Sequence, residues 1–221
     1  MKKWIFSLSL VFMMGLSGTE EQRSTHHSHQ EKLNFFTAQD VDYIHPDSLL
    51  AGQLKVRGMQ IEGFDPAAEE KLEQAFRLLE KVMNSRAFRE KVINFKNTQG
   101  RRSYASNKGM SNEEIYEHLM EGREDLQPNT PGEMNFYLKL YHRPWSKVIG
   151  WTTPDVNLIN INWKFFKNFT PHQVAANLAH EWAHKMGFGH KSAAEHDSVP
   201  YAIGYIVEEL GRQHNNSVTL H

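Results

Sequence analysis

Apolar positions recur at helical spacing from residue 65 to residue 83 and then change period several times along the chain. In "FDPAAEEKLEQAFRLLEKVMNS", Leu72, Phe76, Leu79 and Met83 fall on one stripe, Asp65 stands where a helix is capped, and Pro66 suits a first turn whose amide needs no partner. The pattern predicts a helix that packs on a sheet. The short apolar run "KVINFK" (91–96) predicts a strand, followed by a polar loop. "SNEEIYEHL" reopens a helix, with Ser111 and Glu114 at the spacing of a reciprocal cap. The period then falls to two: Phe136, Leu138 and Leu140 alternate with Asn135, Tyr137 and Lys139, which predicts a half-buried strand. "KVIGWT" (147–152) and "VNLININW" (156–163) predict two more strands joined by a turn at "TPD". No internal repeat is present.

The strongest helix signal lies in "TPHQVAANLAHEWAHKMGFGH" (170–190), where Thr170, Pro171 and Gln173 mark the start and Val174, Leu178, Trp182 and Met186 form the apolar stripe. His180 and His184 are one turn apart and point away from that stripe, so they are expected on the face opposite the core. Gly187 stands where a helix ends in the left-handed conformation. Further on, Pro200 can start a helix that buries Ile203, Val207 and Leu210 and ends at Gly211, with Tyr201, Tyr205 and Glu208 on a second face.

The N-terminus changes the picture of where the fold begins. "MKKWIFSLSLVFMMGLSG" has two lysines, an apolar run too short for a comfortable membrane span, and small residues at its end. Residues 1–18 are expected to be a signal peptide, which makes the protein secreted or periplasmic. Thr19 stands where a lipoprotein would need cysteine, so no stable membrane anchor is expected. Residues 19–55, polar and without period, read as a linker or pro-segment, and the "THHSHQ" within them as a solvated stretch. Residues 56–221 remain for a single domain. The 221-residue chain has no cysteine, which excludes thiolate metal sites and disulfides. With 25 Lys and Arg against 26 Asp and Glu, and no basic stripe, nucleic acid is not an expected partner.

The chemistry concentrates in "HEWAHKMGFGH". Two imidazoles share a helix face, and a sharp turn at Gly187 brings His190 back toward them. Three neutral imidazole nitrogens supply three corners of a tetrahedron and leave the fourth for water, the arrangement of an open catalytic Zn2+ site. Because the ligands bind metal only when neutral, metal release is expected below about pH 6. Glu181, about 100 degrees around the helix from His180, lies beside the metal position and can take a proton from activated water. The pattern fixes five residues over eleven positions. Chance supplies it in roughly two of ten thousand chains of this composition.

These residues resemble the signature of the metzincin metalloproteases, HExxHxxGxxH, which His180, Glu181, His184, Gly187 and His190 match in full. The resemblance implies three zinc ligands, a general base and a glycine hinge. It also implies an α+β, zincin-like fold: a mixed twisted sheet with a backing helix, an active-site helix and a small C-terminal helical subdomain. An antiparallel edge strand would pair with an extended peptide or protein substrate, and "KVIGWT" stands at that place in the chain. Metzincins follow the third histidine with a methionine-containing turn beneath the zinc, whereas no methionine occurs here after Met186. Astacin-like and serralysin-like members place a tyrosine near the zinc, and Tyr201 is similar in position; Tyr205 reads as a packing residue. Two other readings stand beside this one. In the first, the third ligand is an acid, Asp197, Glu208 or Glu209. In the second, the protein is a non-catalytic exported metal-binding or peptide-binding protein.

Overall fold

The computed structural model describes residues 54–122, 124, 131–153 and 156–218. The expected signal peptide, "THHSHQ" and the "TPD" turn lie wholly or partly outside the described residues. Among the described residues the fold is α+β, with a four-stranded mixed sheet and six helices. The order along the chain is β1 (Lys55–Glu62), α1 (Pro66–Met83), α2 (Arg86–Ile93), α3 (Asn112–Glu121), β2 (Glu133–Tyr141), β3 (Gly150–Thr153), β4 (Val156–Asn162), α4 (Trp163–Phe166), α5 (Pro171–Lys185) and α6 (Val199–Val218). In space the strands run β1-β2-β4-β3; β1, β2 and β4 are parallel, and β3 is antiparallel at the edge.

Helix α1 forms as its sequence predicts. The Asp65 carboxylate accepts from the Ala68 amide at 2.8 Å, and Leu72, Leu79 and Met83 are buried while Phe76 packs partly covered against Phe136 of β2. In α3 the Ser111–Glu114 reciprocal cap is present. The strand expected at "KVINFK" is not formed. Ser85 caps a helix there by accepting from the Phe88 amide at 3.1 Å, and Phe88 and Val92, four residues apart, are its buried pair. Six apolar-rich residues did not distinguish the two periods; the cap upstream decides it.

Strand β1 was not visible in the alternation because it carries a bulge. The register with β2 shifts between Gly58 and Gln60, so the inward positions change from Val56 and Gly58 to Ile61. The extra residue, Met59, points outward and is 52% exposed. Leu54, placed in the expected linker, is fully buried, so the domain begins slightly earlier than residue 56. "KVIGWT" is a strand only from Gly150: the preceding loop is clamped by buried Asn162, whose side-chain amide donates to the Arg143 and Val148 carbonyls at 3.0 and 3.2 Å.

One face of the sheet is covered by α1 and α5, with Phe136 touching Phe76 on one helix and Trp182 on the other. Helix α6 then packs on α5, and its residues Val199, Ala202, Ile203, Val207 and Leu210 join the same core cluster. It is thus part of the single core and not a subdomain of its own. It also runs past Gly211 to Val218. Gly211 serves close packing, since a Cβ there would stand 3.0 Å from the Leu78 side chain and 3.1 Å from that of His172. Among the described residues no helix is long and apolar enough to cross a membrane.

The end of α5 is tied to the sheet by a buried ion pair. Lys185 Nζ lies 3.0 Å from Glu124 Oε1 and donates to the Asn135 carbonyl of β2 at 2.7 Å, amid the rings of Phe136, Tyr137 and Trp182. Removing one partner strands a buried charge, which costs about 3–5 kcal/mol, whereas replacing both by apolar groups of similar volume is often neutral. Lys185→Ala is therefore expected to lower stability in urea denaturation by about that amount. Lys185→Met combined with Glu124→Leu should recover most of the loss; equal losses in the single and double variants would refute the assignment.

Candidate metal centre

Helix α5 starts where its sequence directs: the Thr170 amide donates to Gln173 Oε1 at 3.1 Å, with Pro171 in the first turn. It ends in a Schellman arrangement. Gly187 has φ +81°, its amide donates to the His184 carbonyl at 2.9 Å, and the Phe188 amide reaches back to the Ala183 carbonyl at 3.0 Å. His118 of α3 donates from Nε2 to the Met186 carbonyl at 3.0 Å, so the end of the helix is held from outside as well. The chain turned by Gly187 returns past Lys191, whose amide donates to Glu195 at 2.7 Å, and Ser106 donates to the same carboxylate oxygen at 3.0 Å. This loop sets His190 beside the helix.

The three histidines come together. His180, His184 and His190 each offer a ring nitrogen, and these atoms lie within 4.8 Å of one another. The Nε2 atoms of His180 and His184 are 3.1 Å apart; two nitrogens on one tetrahedral zinc stand about 3.3 Å apart, given bonds of about 2.0 Å. The His184 Nδ1–H donates to the Phe188 carbonyl at 2.9 Å, so Nε2 of the neutral ring is a lone pair aimed at the cluster. The His180 ring is held likewise by the Pro200 carbonyl. Lone pairs this close repel unless a proton or a cation lies among them. The cluster therefore fits a metal ion.

The imidazoles are not on a solvated face, as their place opposite the apolar stripe had implied. His180 is 3% exposed because α6 covers it. A Cβ at Gly204 of α6 would meet the Ala176 carbonyl at 3.1 Å and His180 Cβ at 3.4 Å. Burial, aided by the neighbouring histidines, pushes the His180 pKa well below its ordinary value. Burial brings that of His184 down to about 4 and lowers that of His190, which Glu195 partly offsets. Protons thus compete less for this site than for exposed imidazoles, and the release expected below about pH 6 moves to lower pH.

Glu181 is 1% exposed, and burial pushes its pKa up to about 7 against the opposing hydrogen bond from Thr152, whose hydroxyl donates to Oε2 at 3.0 Å. Its Oε1 has no hydrogen-bond partner among the described residues. Thr152 was not singled out in the sequence, although the alternation of β3 puts it on one face with Gly150, where a Cβ would lie 3.5 Å from Glu181 Oε1. Tyr201 stands against the cluster, its ring centroid 4.7 Å from that of His180 and 4.8 Å from that of His190. Its hydroxyl is buried without a partner among the described residues, and burial together with Glu181 raises its pKa to about 12.

The acidic alternatives are placed elsewhere. Asp197 accepts from the Thr98 amide and hydroxyl at 3.0 and 2.8 Å, Glu209 pairs with Lys91 at 3.0 Å, and Glu208 lies near Gln173 at the other end of α5. None belongs to the histidine group. Tyr205, read as a packing residue, hydrogen-bonds His196 Nδ1 through its hydroxyl at 3.0 Å. No family model, curated protein or solved structure matches this chain.

The burial of these groups gives the metal-free protein a signed pH dependence. The three histidines sit below their ordinary 6.5. As pH falls through that value the unfolded chain takes up protons that the folded chain refuses, and stability is lost until the folded rings titrate, at about 4 for His184. Glu181 is raised from 4.5 to about 7, so its contribution is present below 4.5 and is lost as pH rises through about 7. Three histidines outweigh one carboxylate between these limits. In the presence of a chelator, the melting temperature is expected to fall as pH is lowered from about 7 to about 5. Glu181→Gln should raise it more at about pH 8 than at about pH 5. A flat profile for the wild type would show that the imidazoles are not buried in neutral form.

Proposed function

We propose that this chain is an exported zinc-dependent endopeptidase of zincin-like, metzincin-related architecture. One observation carries the reading: three imidazoles converge beside a buried carboxylate that also touches an antiparallel edge strand. When bound, zinc supplies Lewis acidity toward a carbonyl and brings the pKa of water near neutrality.

The protein's own groups supply the rest. The outer edge of β3, which no strand pairs among the described residues, offers backbone donors and acceptors to an extended peptide, which binds as a further strand and is laid across the histidine cluster. Thr152 fixes one oxygen of Glu181 and leaves the other to accept a proton. A carboxylate with a pKa of about 7 suits both halves of the proton transfer at neutral pH. It takes the proton from water as oxygen attacks the carbonyl carbon, and returns it to the amine as the C–N bond breaks. The Tyr201 hydroxyl, kept protonated, can donate to the oxygen on which negative charge develops.

Metal analysis with a casein or peptide-library digest tests the reading. Glu181→Ala is expected to retain one zinc per chain and lose turnover, because it deletes a proton acceptor and no ligand. Wild-type cleavage rates in that variant would overturn the mechanism, and bound zinc with no cleavage by the wild type would favour a metal- or peptide-binding protein. Tyr201→Phe keeps the ring against both histidines and removes only the hydroxyl. It should lower kcat by about 10² to 10³ with zinc content unchanged, and an intact kcat would reduce Tyr201 to packing.

A further inference from the structure

The stretch between Glu133 and Glu181 is strongly basic although the whole chain is balanced: it holds Lys139, Arg143, Lys147, Lys164 and Lys167 against Asp155 alone. Lys139 pairs with Glu62 across the sheet at 3.2 Å. The other four stand on the loop before β3 and on α4 and its C-cap. Lys164 joins the two elements: its Nζ donates to the Ser146 carbonyl of the loop at 3.1 Å and lies 5.0 Å from the centre of the half-buried Phe165 ring. Among the described residues none of the four is paired with a carboxylate. At the tip of the loop stands Trp145, 95% exposed, between exposed Arg143 and Lys147. The loop is not loose. Both its ends are clamped on Asn162, whose Oδ1 accepts from the Arg143 amide at 3.3 Å and whose Nδ2 donates to the Arg143 and Val148 carbonyls, and the Ser146 amide closes a turn on the Arg143 carbonyl at 3.2 Å. The fold therefore holds a bare indole out in water, where its large apolar surface goes unburied.

We propose that this face docks reversibly on an anionic lipid bilayer, with the Trp145 ring seated at the level of the headgroups, Arg143 and Lys147 against the lipid phosphates, and Lys164 and Lys167 adding to the attraction. Composition separates a bilayer from a protein partner. Lysine is depleted in protein interfaces, and the neighbours of Trp145 are His142, Arg143, Pro144 and Lys147, all exposed, with no apolar surround for a partner to cover. An aromatic ring flanked by Lys and Arg is what the membrane–water interface takes up: the amphipathic indole sits among the headgroups, and each cation gains from the negative surface potential. Among the described residues no helix is long and apolar enough to cross a membrane, so attachment through this face is reversible. The face is close to the histidine cluster. Gly150, where a Cβ would lie 3.5 Å from Glu181 Oε1, follows Lys147 by three residues, at most about 11 Å of chain. Docking therefore sets Glu181 near the bilayer surface, whether the chain is a peptidase or a metal-binding protein.

Co-sedimentation of the full chain with vesicles tests this, using phosphatidylcholine alone and phosphatidylcholine with about 30% phosphatidylglycerol. The wild type is expected to partition about tenfold or more in favour of the anionic vesicles at about 0.05 M salt, and to lose most of that advantage at about 0.5 M, where surface charge is screened. Arg143→Gln combined with Lys147→Gln should weaken partition onto the anionic vesicles about twentyfold, about fivefold for each cation. Trp145→Ser should weaken it severalfold and leave the salt dependence in place, because it removes the ring and no charge. Any binding by the apolar run at residues 4–16 is common to all variants, so the differences between them carry the result. Bromine-labelled phosphatidylcholine in the anionic vesicles should quench tryptophan emission, and the quench should drop in Trp145→Phe, which keeps an aromatic ring at the tip. The replaced side chains are exposed, so melting temperature and zinc content should stay at wild-type values. Wild-type partition in either the charge variant or Trp145→Ser overturns the proposal, as does a quench unchanged in Trp145→Phe. Binding to soluble poly-glutamate or to an oligonucleotide with none to vesicles also overturns it, and assigns the patch to an acidic polymer.

Discussion

Helix α5 has almost no solvent face. From Val174 to Lys185 only His184 escapes full burial, because the sheet and α1 cover one side and α6 the other. A helix so placed must be narrow, and its Ala175, Ala176, Ala179 and Ala183 make it so, while Gly204 and Gly211 let neighbouring backbones approach. It must also carry no uncompensated charge. Lys185 meets this with Glu124, and the histidines meet it by staying neutral. A neutral buried imidazole whose Nδ1–H is spent on a carbonyl is a metal ligand already deprotonated and already aimed. Packing thus leaves neutral ring nitrogens grouped where an ion could be held.

The same burial acts on Glu181 in the opposite sense. Histidine is pushed toward its neutral form by losing a proton, glutamate by keeping one, so a common desolvation spreads the pKa values of adjacent groups to about 4 for His184 and about 7 for Glu181. Burial therefore favours a proton on the carboxylate and disfavours one on the imidazoles. Thr152 moderates this by a single hydrogen bond that favours the charged carboxylate. It comes from β3, so the edge strand of the described sheet also sets how readily Glu181 ionises.

Much of this was legible in the sequence where a local rule acts alone. The caps at Asp65, Ser111 and Thr170, the left-handed turn at Gly187 and the alternation of β2 each depend on neighbours in the chain, and each forms. The histidine cluster was legible because the helix and its terminal turn bring residues 180 to 190 together without help from distant parts of the fold. What was hidden depends on contacts across the chain. At the bulge in β1, Gly58 pairs with Phe136 and lacks room for a side chain against Phe76 and Ile61, and the register shift that follows erased the period-two signal. Burial of the histidine face required knowing that α6 lies on it. Gly211 looked like a helix end because glycine commonly is one, but its role is to admit Leu78 and His172.

No methionine follows Met186, and the residue that stands against the histidine cluster is Tyr201. A group packed against clustered imidazoles fixes the rings best when it is apolar enough to exclude water and rigid. The Tyr201 ring provides both, being 1% exposed and in contact with His180 and His190 at once. A tyrosine differs from a methionine in carrying a hydroxyl, and here that hydroxyl is buried without a partner among the described residues. An unmet buried donor costs free energy that a simple packing residue would avoid, since phenylalanine offers the same ring. Pro200, adjacent to Tyr201, contributes the carbonyl that holds His180, and Gly204, one turn further along α6, allows that helix to approach. One turn of α6 therefore holds His180, supports two rings and places a hydroxyl beside them, so its seating on α5 governs the geometry of all three.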